Sequence, residues 1–340
     1  MKRIGKILIP LLFLAFIFAG CTSNSTKVEG TKANDTKTTT IESKKDSSKE
    51  NKKVSVYPLT VKDSLGTEIT IKSKPEKIVS LTLGSDEILL SLVDDKNIAA
   101  LSGKIAEDEG ISNVADKAKN FDKAEGNIEK VISLNPDLVF TANWMKKEQI
   151  QQMRDAGINV YCVGSVSTIE QQEDVIKKIA KIVDEEQKGK ELVDEMNKKL
   201  DYVASKLKGL KDKDKVRVLF YNSFGSTNAE GTTFDDIAKK AGCINVASEA
   251  GLKLWPQVSK EKIIEMNPDV IIVPAWSYDK SKNPKDFADS VLNDKSLKEV
   301  KAVKNKRVYM LPDKHMNCVS QYITLGVEDL AKAVYPDLFK

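Results

Sequence analysis

From about residue 58 onward the chain alternates short apolar runs with amphipathic stretches. Ile78-Val-Ser-Leu81, Ile98-Ala-Ala-Leu101 and Asn159-Val-Tyr-Cys-Val163 have the length and β-branched content of buried strands. Asp86-Glu-Ile-Leu-Leu-Ser-Leu-Val93 and residues 146–156 read as helices, the second stopped by Gly157. Val216-Arg-Val-Leu-Phe-Tyr221 opens a second series: a Gly-bearing loop, a helix over 234–241 capped by Thr232 or Thr233 and ended by Gly242, and a loop with Trp255. The strand 307–311 and a terminal helix with Leu325, Leu330 and Val334 complete it. Strands alternating with helices predict parallel sheets with right-handed crossovers. Between the two series an apolar stripe runs from Ile169 to Val183, is interrupted by Asp184-Glu-Glu-Gln, and resumes from Leu192 to Leu207. A helix of roughly twenty residues spans about 30 Å. The expected fold is therefore α/β: two similar lobes, 58–166 and 210–340, with mainly parallel central sheets. A helical connection over 167–209 joins them, its long second helix being the single inter-lobe link, and a ligand cleft lies between the lobes. Gly189 falls within that helix and is expected to weaken it locally.

One segment occurs twice. Glu129-Lys-Val-Ile-Ser-Leu-Asn-Pro-Asp-Leu-Val-Phe-Thr-Ala-Asn-Trp144 is matched by Glu261-Lys-Ile-Ile-Glu-Met-Asn-Pro-Asp-Val-Ile-Ile-Val-Pro-Ala-Trp276. Shared apolar positions alone would say only that both are helix-turn-strand units, but the paired Glu-Lys, Asn-Pro-Asp and Trp say more. Asn127 or Ser259 can cap the helix, Asn-Pro-Asp ends it, and the strand then runs back. Helix start and strand end thus share an edge, which puts Glu129 near Trp144 and Glu261 near Trp276. Ligands bind at the carboxyl ends of strands in open α/β sheets. Each glutamate is equally well explained by the dipole of its own helix, which favours an acid in the first turn. The two tryptophans fit a core position as well as a cleft edge.

The amino terminus changes the setting. Lys2, Arg3 and Lys6 precede an apolar stretch from Ile7 to Phe18, the pattern of a signal peptide over residues 1–20 and short for a membrane span. Phe18-Ala-Gly-Cys21 resembles a bacterial lipobox, so Cys21 is the expected lipidated first residue of the mature chain. Residues 21–57, rich in Ser, Thr, Lys, Asn, Asp and Glu, form an expected disordered tether, and 35 or so residues of coil reach roughly 30 Å. The expected location is the extracytoplasmic face of the cell membrane.

Charge and cysteine usage exclude several classes. The net charge is +4, and arginine occurs only at 3, 154, 217 and 307, which does not suit nucleic-acid binding. Cys162, Cys243 and Cys318 are an odd set without Cys-x-x-Cys spacing; Cys162 and Cys243 read as buried thiols, and neither a disulfide framework nor a metal site is expected. With one histidine and no nucleophile or paired-carboxylate signature, no catalytic residue is expected.

Four stretches spread over residues 58–338 belong together: Pro75-Glu-Lys-Ile-Val-Ser-Leu, Asn127-Ile-Glu-Lys-Val with Asn135-Pro-Asp-Leu-Val, Gly231-Thr-Thr-Phe-Asp-Asp-Ile-Ala, and Trp255-Pro-Gln-Val-Ser-Lys-Glu-Lys-Ile. Together they resemble the substrate-binding proteins of ABC importers for iron chelates (siderophore or haem) and cobalamin. The resemblance implies a monomeric, membrane-tethered receptor serving a permease dimer with separate ATPase subunits. Its cargo would be a ferric siderophore, haem or corrinoid, with no resident cofactor. It implies docking of Glu129 and Glu261 to permease arginines and contact of Trp255 with ligand. Trp144, Trp276 and Tyr221 are further candidates for the cleft. His315, in Asp313-Lys-His-Met-Asn-Cys318, could offer an imidazole to a chelated metal, although a solvent-exposed histidine fits the same polar stretch. A sensor or adhesin using the same cleft, and less so an enzyme, are the rival readings.

Overall fold

Residues 56–340 are described by the computed structural model; the signal peptide, Cys21 and nearly all of the tether lie outside the described residues. A hairpin of β1 (Leu59–Lys62) and β2 (Glu68–Ile71) precedes the two series. The first series supplies β3 (Ile78–Ser80), β4 (Ile98–Ala100), β5 (Leu138–Ala142) and β6 (Asn159–Val163). The second supplies β7 (Arg217–Phe220), β8 (Ile244–Asn245), β9 (Val270–Pro274) and β10 (Val308–Leu311). Every pair within each four-stranded sheet is parallel. The spatial orders are β4-β3-β5-β6 and β8-β7-β9-β10, so each lobe places its first strand between its second and third and its fourth outside. The duplication visible in one segment extends to the topology of both lobes.

Asn-Pro-Asp does the same work in each copy. Asn135 (φ 47°) and Asn267 (φ 43°) sit in the left-handed region, where asparagine is tolerated better than other side chains. The chain thus leaves the helix by a left-handed residue rather than by the extended one that a following proline usually prefers. The aspartate then ties the returning strand to its neighbour. Asp137 Oδ2 accepts from Glu76 N and Lys77 N, both at 2.9 Å, just before β3; Asp269 Oδ2 accepts from Arg217 N at 3.1 Å, at the start of β7.

Side chains alternate across both sheets with the period of two that strands impose. Ile78, Leu138, Phe140, Val218, Phe220, Val270 and Ile272 enter one apolar cluster common to the two lobes. The intervening Val79 and Val139 pack in a second cluster, and Leu219, Ile271 and Val273 in a third, each confined to one lobe. The common cluster also takes Ile176 and Ile179 from the helix Ile169–Ile182 and Val193 and Met196 from the helix Glu186–Leu207. Thr168 caps the first of these by accepting from Gln171 N at 3.2 Å, and Asp184 (φ 57°) turns the chain between them. Gly189 has a purpose that helix propensity hid: a Cβ there would lie 2.3 Å from Ala180 Cβ. The missing side chain lets the two helices close on each other. The long helix touches both lobes, since Lys188 Nζ donates to Leu92 O at 2.8 Å and Lys199 pairs with Glu328 at 2.9 Å.

The chain also crosses back near its end. Gln321 Nε2 donates to Glu87 O and to Ser91 Oγ, both at 3.0 Å, against the helix Leu83–Leu92 of the first lobe. Gly84 makes room for this segment, because a Cβ there would stand 2.7 Å from Val319 O. The hairpin, β8 and the helix Pro284–Leu292 are additions to the elements read from the sequence.

Candidate functional site: a two-chambered aromatic cleft

The loops after β3, β5, β6, β7, β9 and β10 converge on two adjoining chambers of about 600 and 740 Å³. This is the carboxyl end of both sheets. Asn228, Trp255 and Asn317 line both chambers and form the partition between them. Exposed apolar side chains gather here: Ile105, Trp144 and Val319 line the first chamber, Phe224 and Tyr278 the second, and Trp255 both. Four are aromatics left largely open, Trp144 at 71%, Trp255 at 63%, Phe224 at 79% and Tyr278 at 81% exposure. Burying an aromatic is worth more than burying almost any other side chain, so a cluster held open in a concavity marks a binding surface.

Trp255 is exposed but not loose. Its loop is laced to the segment 225–230: Thr227 N donates to Pro256 O at 3.0 Å, Ala229 N to Leu254 O at 2.8 Å and Leu254 N to Glu230 O at 2.8 Å. Leu254 pays for that shape with φ 57°, an uncommon conformation for leucine that the lacing holds in place. Trp144 stands just past β5, where Asn143 N donates to Val163 O at 3.0 Å and Met145 N to Ala142 O at 3.1 Å.

Buried carboxylates underlie the cleft. Glu87 accepts from Asn113 N at 2.7 Å, Asn113 Nδ2 at 3.0 Å and Cys318 Sγ at 3.5 Å, with a short bond from Ser320 Oγ. Burial raises its pKa against the pull of those donors. Burial lifts Asp86, held by Ser102 N and Oγ, to about 7. Asp313 receives Ala275 N at 2.7 Å, Trp276 N at 2.8 Å and Asn317 Nδ2 at 2.9 Å, and burial lifts it to about 6. Cys318 is pushed well above the ordinary thiol value by burial, so it is a protonated donor rather than a nucleophile.

A family model for periplasmic binding proteins matches residues 78–315, the span that carries both sheets. The chain belongs to the periplasmic binding protein family. Among relatives of this family, the uncharacterized ABC transporter substrate-binding lipoprotein YvrC of Bacillus subtilis is 28% identical over 348 residues, the whole of both chains. The molybdate-binding protein MolA of Haemophilus influenzae is 27% identical over 308 residues, 82% of this chain and 86% of that one. Its molybdate-bound structure aligns with a TM-score of 0.69 at 25% identity, covering 83% and 92% of the two chains. A periplasmic solute-binding protein of Staphylococcus epidermidis aligns with a TM-score of 0.65 at 26% identity, covering 77% of this chain and all of that one. A periplasmic binding protein captures a solute for a transporter and is not an enzyme.

Within this family frame the sequence-derived residues separate. Trp144 and Trp255 line one chamber, and Trp255 and Trp276 the other. Trp276 is engaged elsewhere: its Nε1 donates to Asp108 Oδ2 at 2.9 Å across the cleft, Lys280 Nζ stands 4.8 Å from its ring, and a Cβ on Gly110 would lie 2.4 Å from its Cδ1. It is a tie between lobes. Tyr221 lines neither chamber; Tyr221 N continues the sheet by donating to Ile272 O, and its ring packs 5.7 Å from Phe287. His315 likewise lines neither, and is half-buried in the short helix Asp313–Met316 with Nδ1 at 2.5 Å from Asp329 Oδ2. Its Nδ1 is tied to the terminal helix, and the ring stands outside both chamber linings. Glu129 and Glu261 are exposed in the first turns of Ile128–Ser133 and Lys260–Met266, outside the chamber linings, with Asn127 and Ser259 capping from the preceding position.

Sequence reasoning passed over Phe224, Tyr278, Asn228, Asn317, Gln172 and Glu87. Phe224 and Tyr278 had a signal, an aromatic alone in a polar loop, in Asn222-Ser-Phe-Gly225 and Ser277-Tyr-Asp-Lys280. Glu87 had none, because an acid inside an apolar helix run reads as a solvated face until its partners are seen.

Proposed function

We propose that the chain is a lipid-anchored substrate-binding protein that captures a metal chelate, a ferric siderophore, haem or corrinoid, and delivers it to the permease of an ABC importer. The observation that carries this reading is the pair Trp144 and Trp255, exposed aromatics anchored by backbone hydrogen bonds around a chamber of about 600 Å³. A rigid aromatic wall suits a large, partly apolar ligand; a bare oxyanion would leave most of that surface wet. In this reading a metal is cargo that arrives already chelated. Among the described residues no group of three His, Cys, Asp or Glu could hold a metal ion. Also among them, no helix is long and apolar enough to cross a membrane. Attachment through Cys21 is the anchor this reading supplies, as the lipoprotein relative supports.

Glu129 and Glu261 are the docking residues of this proposal. They occupy matching places in two lobes of the same strand order, so a permease of two similar halves would meet one on each side. The test is reconstitution with the transporter in lipid. Glu129→Ala with Glu261→Ala should abolish ligand-dependent stimulation of ATP hydrolysis while ligand affinity is retained; normal stimulation by the double variant removes the docking assignment.

A further inference from the structure

We infer that the cleft selects a neutral or cationic chelate bearing amide or carbonyl acceptors and rejects polyanionic ones. This deepens the carrier reading and rests on it. In the wall of the first chamber Glu87 is the one acidic or basic side chain, and each of its hydrogen-bond donors, Asn113, Ser320 and Cys318, is neutral. The second chamber is lined by Asp279, Asp286 and Asp313 against a single cation, Lys282, which already stands 3.9 Å from Asp279. Asp86, one residue from Glu87 and fully buried, is held by Ser102; burial lifts it to about 7, so it adds only part of a negative charge at neutral pH. The aromatic faces around the cleft are negative as well, because ring quadrupoles place electron density there.

A chelate with several negative charges would exchange its water for carboxylates and π faces. At about 8 Å and an effective dielectric near 20, each unit of ligand charge meets from one fully ionised carboxylate, such as Asp279 or Asp286, a penalty of about 30-fold in affinity. What the wall offers instead is neutral donors. Asn143, Asn228 and Asn317 present amides to the chambers. Gln172 lines the first chamber at 1% exposure, and its Nε2 makes no hydrogen bond. A buried donor left unsatisfied is costly, and a carbonyl oxygen on the ligand would satisfy it without bringing a charge.

The experiment is calorimetric titration of the full chain in detergent, at fixed ionic strength, with two matched pairs of probes. One pair is cyanocobalamin and the same corrinoid with its peripheral amides hydrolysed to carboxylates; the other is a monocationic ferric tris-hydroxamate and a trianionic ferric tris-catecholate. At least one pair should bind, with its neutral or cationic member at least ten-fold tighter than its anionic one. Asn143→Lys, which adds an ammonium at the exposed lip, should narrow that gap about ten-fold. Glu87→Gln should narrow it too if the variant folds. An anionic member that binds as tightly or more tightly overturns the charge inference and leaves the carrier reading standing. So does a gap that Asn143→Lys does not change. Failure of all four probes overturns this inference and, with it, the siderophore and corrinoid forms of the chelate reading.

Discussion

Gly189→Ala opposes two effects of similar size, and the structure decides between them. In an isolated helix the substitution is favourable by about 0.8–1.0 kcal/mol, because glycine has the greater backbone entropy to lose. Here the new methyl would stand 2.3 Å from Ala180 Cβ, whereas carbon atoms in contact prefer about 3.5–4.0 Å. The two helices would have to part by more than about 1 Å along a seam that buries Ile176, Ile179, Val193 and Met196. Overpacking of this kind costs about 1–3 kcal/mol, and the whole seam moves, so the upper part of that range applies. Net destabilisation should be about 1–2 kcal/mol, or a fall in Tm of roughly 2–4 °C per kcal/mol. Urea unfolding followed by far-ultraviolet circular dichroism measures it. Ala180→Gly removes the opposing methyl, so the double variant should recover most of the loss, with a coupling energy of about 1–2 kcal/mol. A Gly189→Ala protein as stable as the parent, or strictly additive singles, would refute the close-approach argument.

Other expectations follow from the cleft. Trp255→Ala should weaken binding of the chelate probe about ten-fold or more, read by titration calorimetry, while stability changes by less than about 0.5 kcal/mol because the ring is exposed. Burial raises Asp86 to about 7 and Asp313 to about 6, above their usual carboxyl values. A carboxyl with a raised folded pKa holds its proton more tightly in the folded chain. Its contribution is therefore complete below about pH 4 and is lost as pH rises through 6 and 7, on the order of a few kcal/mol at most. Denaturant titrations from pH 4.5 to 7.5 should show a slope of that sign that Asp86→Asn flattens; an unchanged slope would exclude Asp86 as its source. Gly110→Ala should dislodge the Trp276 indole from Asp108 and speed hydrogen exchange in residues 104–112 and 276–282; protection equal to the parent would show that the tie is unimportant.

Much of this molecule was legible from period and punctuation. Ile78, Leu138, Val218 and Val270 fall in apolar runs of strand length, and the second Asn-Pro-Asp announces a second lobe. What stayed hidden depends on partners far away in the chain. Trp276 repeats Trp144 in sequence but not in role, because Asp108, 168 positions earlier, captures its indole. His315 and Tyr221 stand outside both chamber linings, beside Asp329 and Phe287, and no local pattern announces those neighbours. Gly189 looked like a weak point until the neighbouring helix supplied Ala180. Exposure of Trp255, by contrast, could be read locally, since a tryptophan before proline outside any periodic run has little chance of a core position.

The return of residues 317–321 to the first lobe sets the order in which this molecule can become competent. Glu87 waits for Ser320, 233 positions downstream, and Gln321 closes on the same helix 234 positions after Glu87. Contacts that distant carry a large loop-closure cost and form late. A growing or truncated chain can pair β3 through β6, but it lacks one wall of the first chamber and leaves a buried carboxylate short of a donor. Capture of ligand should therefore require residues 317–321, and removal of residues 317–340 should cost the chamber while leaving the first sheet paired.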